Sequence, residues 1–201
     1  MMSHAITGVV LAGGQGSRMG RIDKGLQPFR GKPMVAHVLE RFLPQVDEVL
    51  INANRNLDAY AKFNLRVVAD EIDGFAGPLA GLQRALAEAA HPLIATAPCD
   101  SPFLPLDLVA RLHKGMQTAQ AQLAVAKTFD QAHPVFCLCE KTLLDHLTDF
   151  LRSGGRKIDK WYATLHVVEV NFDDELAAFS NINTVEELTH FETRSDEPHE
   201  Q

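Results

Sequence analysis

Between residues 13 and 24 the chain gathers four glycines (Gly13, Gly14, Gly16, Gly20) and three cations (Arg18, Arg21, Lys24). They directly follow the apolar run Ile6-Thr7-Gly8-Val9-Val10-Leu11-Ala12. The chemistry this combination suits is anion binding. Without a Cβ, glycine lets backbone N–H groups come close to a phosphate. Arginine forks onto phosphate oxygens, and lysine adds a compact charge. A Val- and Ile-rich run that opens into such a loop reads as a strand buried on both faces, with a phosphate held at its C-terminal end.

Three glycine-rich loops compete for this role. The P-loop ends in Gly-Lys-Ser/Thr, whereas Gly20 is followed by Arg21. The dinucleotide fingerprint G-x-G-x-x-G fails because Met19 stands where the third glycine belongs. The looser spacing Gly14, Gly16, Gly20 would need an acidic residue at the end of the second strand. The run Val49-Leu50-Ile51 leads instead into Asn52-Ala53-Asn54-Arg55. The third loop fits. Leu11-Ala12-Gly13-Gly14-x-x-Ser17-Arg18-Met19-Gly20-x-x-Asp23-Lys24 resembles the N-terminal motif of nucleotidyltransferases that act on NTPs, most nearly the molybdenum cofactor guanylyltransferases.

The likeness continues through Asn52-Ala53-Asn54-Arg55, Gly77-Pro78-Leu79-Ala80-Gly81, Pro98-Cys99-Asp100-Ser101-Pro102, His133-Pro134 and Phe179-Ser180-Asn181-Ile182-Asn183-Thr184. It spans Ile6 to about Phe191 and departs only in the variable stretch Gln15-Gly16. The resemblance implies transfer of GMP from GTP to molybdenum-molybdopterin, with pyrophosphate released and Mg²⁺ as cofactor. It implies nucleotide contacts from Leu11, Ala12, Gly13, Gly14, Lys24, Asn52, Asp70, Gly77, Pro78 and Asp100. Lys24, Arg18 and Asp100 become the catalytic groups, and Asp100 the metal ligand. Asn181 and Asn183 become candidates for the acceptor side, although Asn at these places also suits turns and helix caps.

The residues carry their own arguments. A carboxylate such as Asp100 can help hold Mg²⁺, which also takes waters and substrate phosphates; an Asp capping the next helix would look the same. Guanine offers N1–H and N2–H₂ as adjacent donors, and one carboxylate can accept both. Asp70 is the candidate reader, with Asp73 and the Gly77-Pro78-Leu79 turn as competitors. Asn52 suits ribose or base. The acceptor's terminal phosphate is already largely dianionic near neutral pH, so no strong general base is needed. Other activities on the same motif are a cytidylyltransferase, a sugar-phosphate nucleotidyltransferase or a nucleotide-binding module without turnover. Intact Lys24 and Asp100 favour turnover.

The elements that position these groups alternate. Strands are predicted at 6–12, 49–52, 65–69, 91–97, 122–127, 134–139 and 167–171. Helices are predicted at about 33–42, 57–63, 77–90, 105–118, 141–151, 157–165 and 184–191, the last with Thr184 as N-cap and Glu187 three residues on. The alternation predicts an α/β fold: a single-domain, Rossmann-like three-layer sandwich with a mostly parallel central sheet. The resemblance narrows it to the nucleotide-diphospho-sugar transferase type. In such a sheet the ligand lies beyond the C-terminal strand ends, where Gly13-Gly14, Asn52, Asp70 and Asp100 fall.

With 201 residues the chain suits one domain over 1–191, with 192–201 a disordered polar tail. A net charge of −7 argues against a nucleic-acid surface. No apolar run nears the ~18 residues that cross a bilayer, and no signal peptide is expected. Three cysteines (Cys99, Cys137, Cys139) without a pairing framework fit a reducing cytoplasm. Cys137 and Cys139 share a strand face and read as buried thiols rather than zinc ligands. GTP and molybdenum-molybdopterin are the expected partners, with other cofactor-biosynthesis proteins or recipient molybdoenzymes as further candidate contacts.

Overall fold

Short runs of Val, Ile, Leu and Ala, each closed by a polar turn, line up as one seven-stranded sheet. The computed structural model describes residues 5–12, 23–72 and 77–179. In chain order these hold β1 (Ile6–Leu11), β2 (Pro28–Phe29), β3 (Lys32–Pro33), α1 (Met34–Phe42), β4 (Glu48–Asn52), α2 (Leu57–Ala61), β5 (Arg66–Val68), α3 (Pro78–Glu88) and β6 (Leu93–Pro98). There follow α4 (Leu108–Ala119), β7 (Leu123–Thr128), β8 (Gln131–Glu140), α5 (Leu144–Arg152), α6 (Ile158–Tyr162) and β9 (Val167–Asn171). Gly13, Gly14, Arg18, Asp73, Asn181, Asn183, the expected helix at 184–191 and the tail from 192 lie outside the described residues.

The sheet order is β5-β4-β1-β6-β8-β7-β9. Pairing is parallel from β5 through β6 and again between β7 and β9; β8 runs antiparallel to both its neighbours. The sheet is therefore mostly parallel, as expected. Neighbouring residues along a strand face opposite sides. Val10 and Ile51 face one core with Val35, Val38, Phe42, Leu108 and Leu112 from α1 and α4. Val9 and Leu50 face the other, with Leu79, Leu82 and Leu86 of α3, Leu147 of α5 and Trp161 of α6. That makes the three layers. Cys137 and Cys139 share the second core, and all three cysteines are free and buried.

Among the described residues the structure adds to the expected elements. A two-stranded hairpin, β2–β3, precedes α1, so that Pro33 is the residue before the helix rather than its first turn. Its turn residues Arg30 and Gly31 both have positive φ (47° and 81°), which is the requirement of a type I′ turn. Strand β8 begins at Gln131, three residues before Pro134, and the β7–β8 register shifts between Val125 and Ala126. Two short 3₁₀ turns, kinked apart at Glu175, span Asp173–Phe179 after β9. Among the described residues no helix is long and apolar enough to cross a membrane.

Candidate active site

The end of β1 is the centre of the site. Leu11 lies level with Asn52 of β4 on one side and Pro98 of β6 on the other. Just beyond, the Ala12 N–H donates to the Asn52 carbonyl at 2.8 Å, and the Cys99 N–H donates to the Leu11 carbonyl at 3.1 Å. The chain thus enters the glycine-rich segment between two strand ends, each carrying a polar group. Strands lie ~4.8 Å apart, so β4 and β6 stand roughly 10 Å apart across β1.

On the β4 side, Asn52 is buried and its Nδ2 donates to Asp70 Oδ1 at 2.8 Å and to the Val68 carbonyl at 3.3 Å. Asn54 closes the pair: its Nδ2 donates to Asp70 Oδ2 and its Oδ1 accepts from the Asp70 N–H, both at 2.8 Å. Two amides therefore fix the plane of the Asp70 carboxylate. Each carboxylate oxygen keeps capacity for a further donor. Asn54 is a site residue that the motif alone does not single out; its sequence signal is an amide two residues after Asn52.

Helix α3 presses on the same place. A Cβ on Gly81 would lie 2.3 Å from Asn52 Oδ1 and 2.9 Å from Leu11 Cδ2. Glycine at 81 is thus what lets α3 approach the strand ends. Gly77, before Pro78 at the start of α3, has φ +64° and ψ −151°, a region essentially restricted to glycine. Pro78 takes the first helical turn, where its missing N–H costs nothing.

On the β6 side, Lys24 Nζ donates to Asp100 Oδ2 at 3.4 Å, with side chains 27% and 14% exposed. Lys24 opens a single 3₁₀ turn, Lys24–Leu26. The structure therefore brings together Lys24 with Asp100 and Asn52 with Asp70, on the two flanks of Leu11 and Ala12. Among the described residues no three His, Cys, Asp or Glu side chains converge to hold a metal. One carboxylate plus substrate phosphates is nevertheless a usual Mg²⁺ arrangement, and Asp100 fits it.

A second feature occupies the same edge. Because β8 runs antiparallel, its N-terminal end and the β7–β8 turn emerge beside the C-terminal ends of the parallel strands. A cavity of about 630 Å³ lies between that turn (Thr128 to Gln131) and His133, Leu176 and Phe179. His133 stacks on Phe179 with ring centroids 4.6 Å apart, and its Nε2 is 2.7 Å from Thr128 Oγ1. Phe136 and Phe172 pack edge-on against Phe179. Burial disfavours the charged form of the His133 ring and lowers its pKa. At the rim, Phe129 is 61% exposed and has φ +48°. Asp173 accepts from its N–H, and Asn171 Nδ2 donates to Asp173 at 2.8 Å.

Residues 8–168 match the family model of the MobA-like NTP transferase domain. The chain is 53% identical over 194 residues to the molybdenum cofactor guanylyltransferase of Cupriavidus necator, a match covering 94% of this chain and 97% of that protein. Among solved structures it resembles molybdopterin-guanine dinucleotide biosynthesis protein A of Archaeoglobus fulgidus, at 26% identity and a TM-score of 0.79, over 94% of this chain and 98% of that one. The 4-diphosphocytidyl-2C-methyl-D-erythritol synthase of Anaerococcus prevotii has the same fold at 14% identity, with a TM-score of 0.75 and coverage of 96% and 97%.

Proposed function

The chain belongs to the family of MobA-like NTP transferases, and on that footing we propose that it transfers GMP from GTP to molybdenum-molybdopterin, forming the guanine dinucleotide cofactor and releasing pyrophosphate. The observation that carries this reading is the placement of two polar pairs on either side of the β1 end: Asn52 with Asp70, and Lys24 with Asp100. The roughly 10 Å between β4 and β6 suits a nucleotide lying across β1, base on the β4 side and phosphates on the β6 side.

The acceptor's terminal phosphate attacks the α-phosphorus of GTP, the bond to the β-phosphate oxygen breaks, and pyrophosphate leaves. The obstacle is the approach of one anion to another. Positioning and charge neutralisation overcome it. Lys24 supplies fixed positive charge at the β6 end. Asp100 would hold Mg²⁺, which when bound would supply positive charge against the phosphates. Asp70, held by two amides, accepts the guanine N1–H and N2–H. Gly77 and Pro78 start α3 beside it. From the sequence, Gly13 and Gly14 supply backbone donors and Arg18 a second cation.

The cavity beneath Phe129 suits the acceptor, a flat heterocycle that aromatic rings can stack against. Asn181 and Asn183 follow Phe179 closely in sequence and belong to the same acceptor reading. Three free buried thiols accord with a reducing cytoplasm, where recipient molybdoenzymes or other cofactor-biosynthesis proteins would take the product.

The test offers labelled GTP, CTP and ATP separately, with Mg²⁺, to the purified chain and the pterin acceptor. Consumption of GTP with pyrophosphate release is expected. Equal or preferred consumption of CTP would make the protein a cytidylyltransferase, and binding without turnover would make it a nucleotide-binding module.

A further inference from the structure

The residue before Lys24 is held by two side chains from another part of the chain. Tyr60 Oη donates to Asp23 Oδ1 at 2.6 Å, and Asn56 Nδ2 donates to Asp23 Oδ2 at 2.9 Å. An Asp at the start of a helical turn ordinarily caps that turn with its own side chain. Asp23 stands at that place but makes no such bond. Its carboxylate is turned instead onto the phenol and the amide. Only its carbonyl serves the turn, accepting from the Leu26 N–H at 3.2 Å.

The donors are well fixed. Tyr60 lies on α2 and is fully buried. Burial raises its pKa, with Cys99 and Asp23 adding to the effect, so the phenol stays protonated and must donate. Asn56 precedes α2 in the left-handed conformation (φ 51°, ψ 35°), which Asn tolerates better than most residues. Gly25 fits where nothing larger would: a Cβ there would lie 2.6 Å from Tyr60 Oη and 3.0 Å from Cys99 Cβ and Sγ. Cys99 is the neighbour of Asp100. The same small unit therefore reaches both partners of the ion pair, Lys24 through Asp23 and Gly25, and Asp100 through Cys99.

We infer that Tyr60 and Asn56 are positioning residues for the transfer: by clamping Asp23 they hold Lys24 beside Asp100, where the triphosphate of the nucleotide is received. The inference rests on the reading of Lys24 as the triphosphate contact, and its test separates the two. Calorimetric titrations with Mg·GTP and with GMP are made on the native chain, Tyr60→Phe, Lys24→Ala and the double variant. Tyr60→Phe removes one hydroxyl and keeps the ring. It should weaken GTP about tenfold, the effect of losing one hydrogen bond to a charged group. GMP, which lacks the phosphates Lys24 meets, should change by less than about twofold.

In the Lys24→Ala background Tyr60→Phe should have almost no further effect on GTP, because coupled groups are not additive. Equal weakening of GTP and GMP, an unchanged loss in the Lys24→Ala background, or no effect of Tyr60→Phe on GTP would overturn the clamp. If Lys24→Ala itself binds GTP as tightly as the native chain, the reading of Lys24 fails first and the clamp with it. Should Tyr60→Phe fold poorly, Asn56→Gly keeps the left-handed backbone, removes the second donor and is read by the same titrations.

Discussion

Asn52, Asp70 and Asp100 are polar groups at or just past the ends of β4, β5 and β6, and Lys24 opens the 3₁₀ turn that meets Asp100; each is oriented by hydrogen bonds or an ion pair of 2.8 to 3.4 Å. Across the sheet, the edge made by β8, β7 and the segment after β9 is shaped by stacked rings: His133 on Phe179, with Phe136 and Phe172 behind. The first half sets where single charges and donors stand. The second half sets a shape. A change in the first should alter chemistry and leave the packed layers nearly intact, because those layers lie below the strand ends. A change in the second should alter stability, and on the proposed reading acceptor fit as well, since the same rings would serve both.

The strongest break of that contrast is Asp100→Ala. Turnover should fall about a hundredfold or more, the scale of losing one preorganised charge-stabilising group, while the melting temperature moves only slightly. Pyrophosphate release and a thermal melt measure the two quantities. A folded variant with full, metal-dependent turnover would remove Asp100 from the site. Next comes Asp70→Asn. An amide turns a donor toward a guanine donor, a buried mismatch of roughly 1–3 kcal/mol, or about tenfold to a hundredfold in affinity. Inosine triphosphate keeps N1–H and lacks the amine. The native chain should prefer GTP over it, and the preference should shrink in the variant; an unchanged ratio would leave the Gly77-Pro78-Leu79 turn as the reader.

On the aromatic half, Phe129→Gly sharpens the comparison by moving two quantities in opposite directions. The left-handed backbone of Phe129 suits glycine, so stability should rise by about 1 kcal/mol. The KM for the acceptor should rise several-fold, with GTP affinity unchanged. An acceptor KM equal to the native value would remove the exposed ring from the acceptor site. The smallest effect is that of His133. Its folded pKa lies below the unfolded value because burial disfavours the charged ring. Below about pH 6.5 the unfolded chain binds the extra proton. The cost to the fold is therefore absent above that pH and grows as pH falls toward the lowered pKa. Melts between pH 7.5 and 5.5 should lose this slope in His133→Gln, and parallel curves would show that the ring does not titrate differently on folding.

The strands were readable because each is a short apolar run between turn residues, and the alternation Val9/Val10 and Leu50/Ile51 assigns both faces. The β2–β3 hairpin was not, since Arg30-Gly31 lacks the Asn-Gly or Asp-Gly signal of a type I′ turn. Strand β8 starts earlier than the expected Pro134, since the pairing irregularity beside Val125 and Ala126 lets the strand pass through the proline. The placement of Asn52, Asp70 and Asp100 followed from the strand ends alone. Gly81 against Asn52 and Tyr60 on Asp23 did not, because such contacts arise only when a helix is laid over distant strands. Nothing local in either segment marks them.

The position of β1 at the middle of the sheet has a consequence for biosynthesis. Strand β1 is made before either of its partners, yet Thr7 pairs with Glu48 and Ile6 with Leu93. At ~5–20 residues per second, roughly 4 to 17 s of translation separate Ile6 from its last partner. Through that interval the run Ile6 to Leu11 has a free edge and two unburied faces, the conditions under which nascent chains associate wrongly. The β7–β8 hairpin, by contrast, closes over the two residues Phe129 and Asp130 and can form as soon as it is made. Demand for chaperones should therefore track β1: a polar substitution at Val9 or Val10 would lessen early association while costing the folded sheet a fully buried apolar side chain.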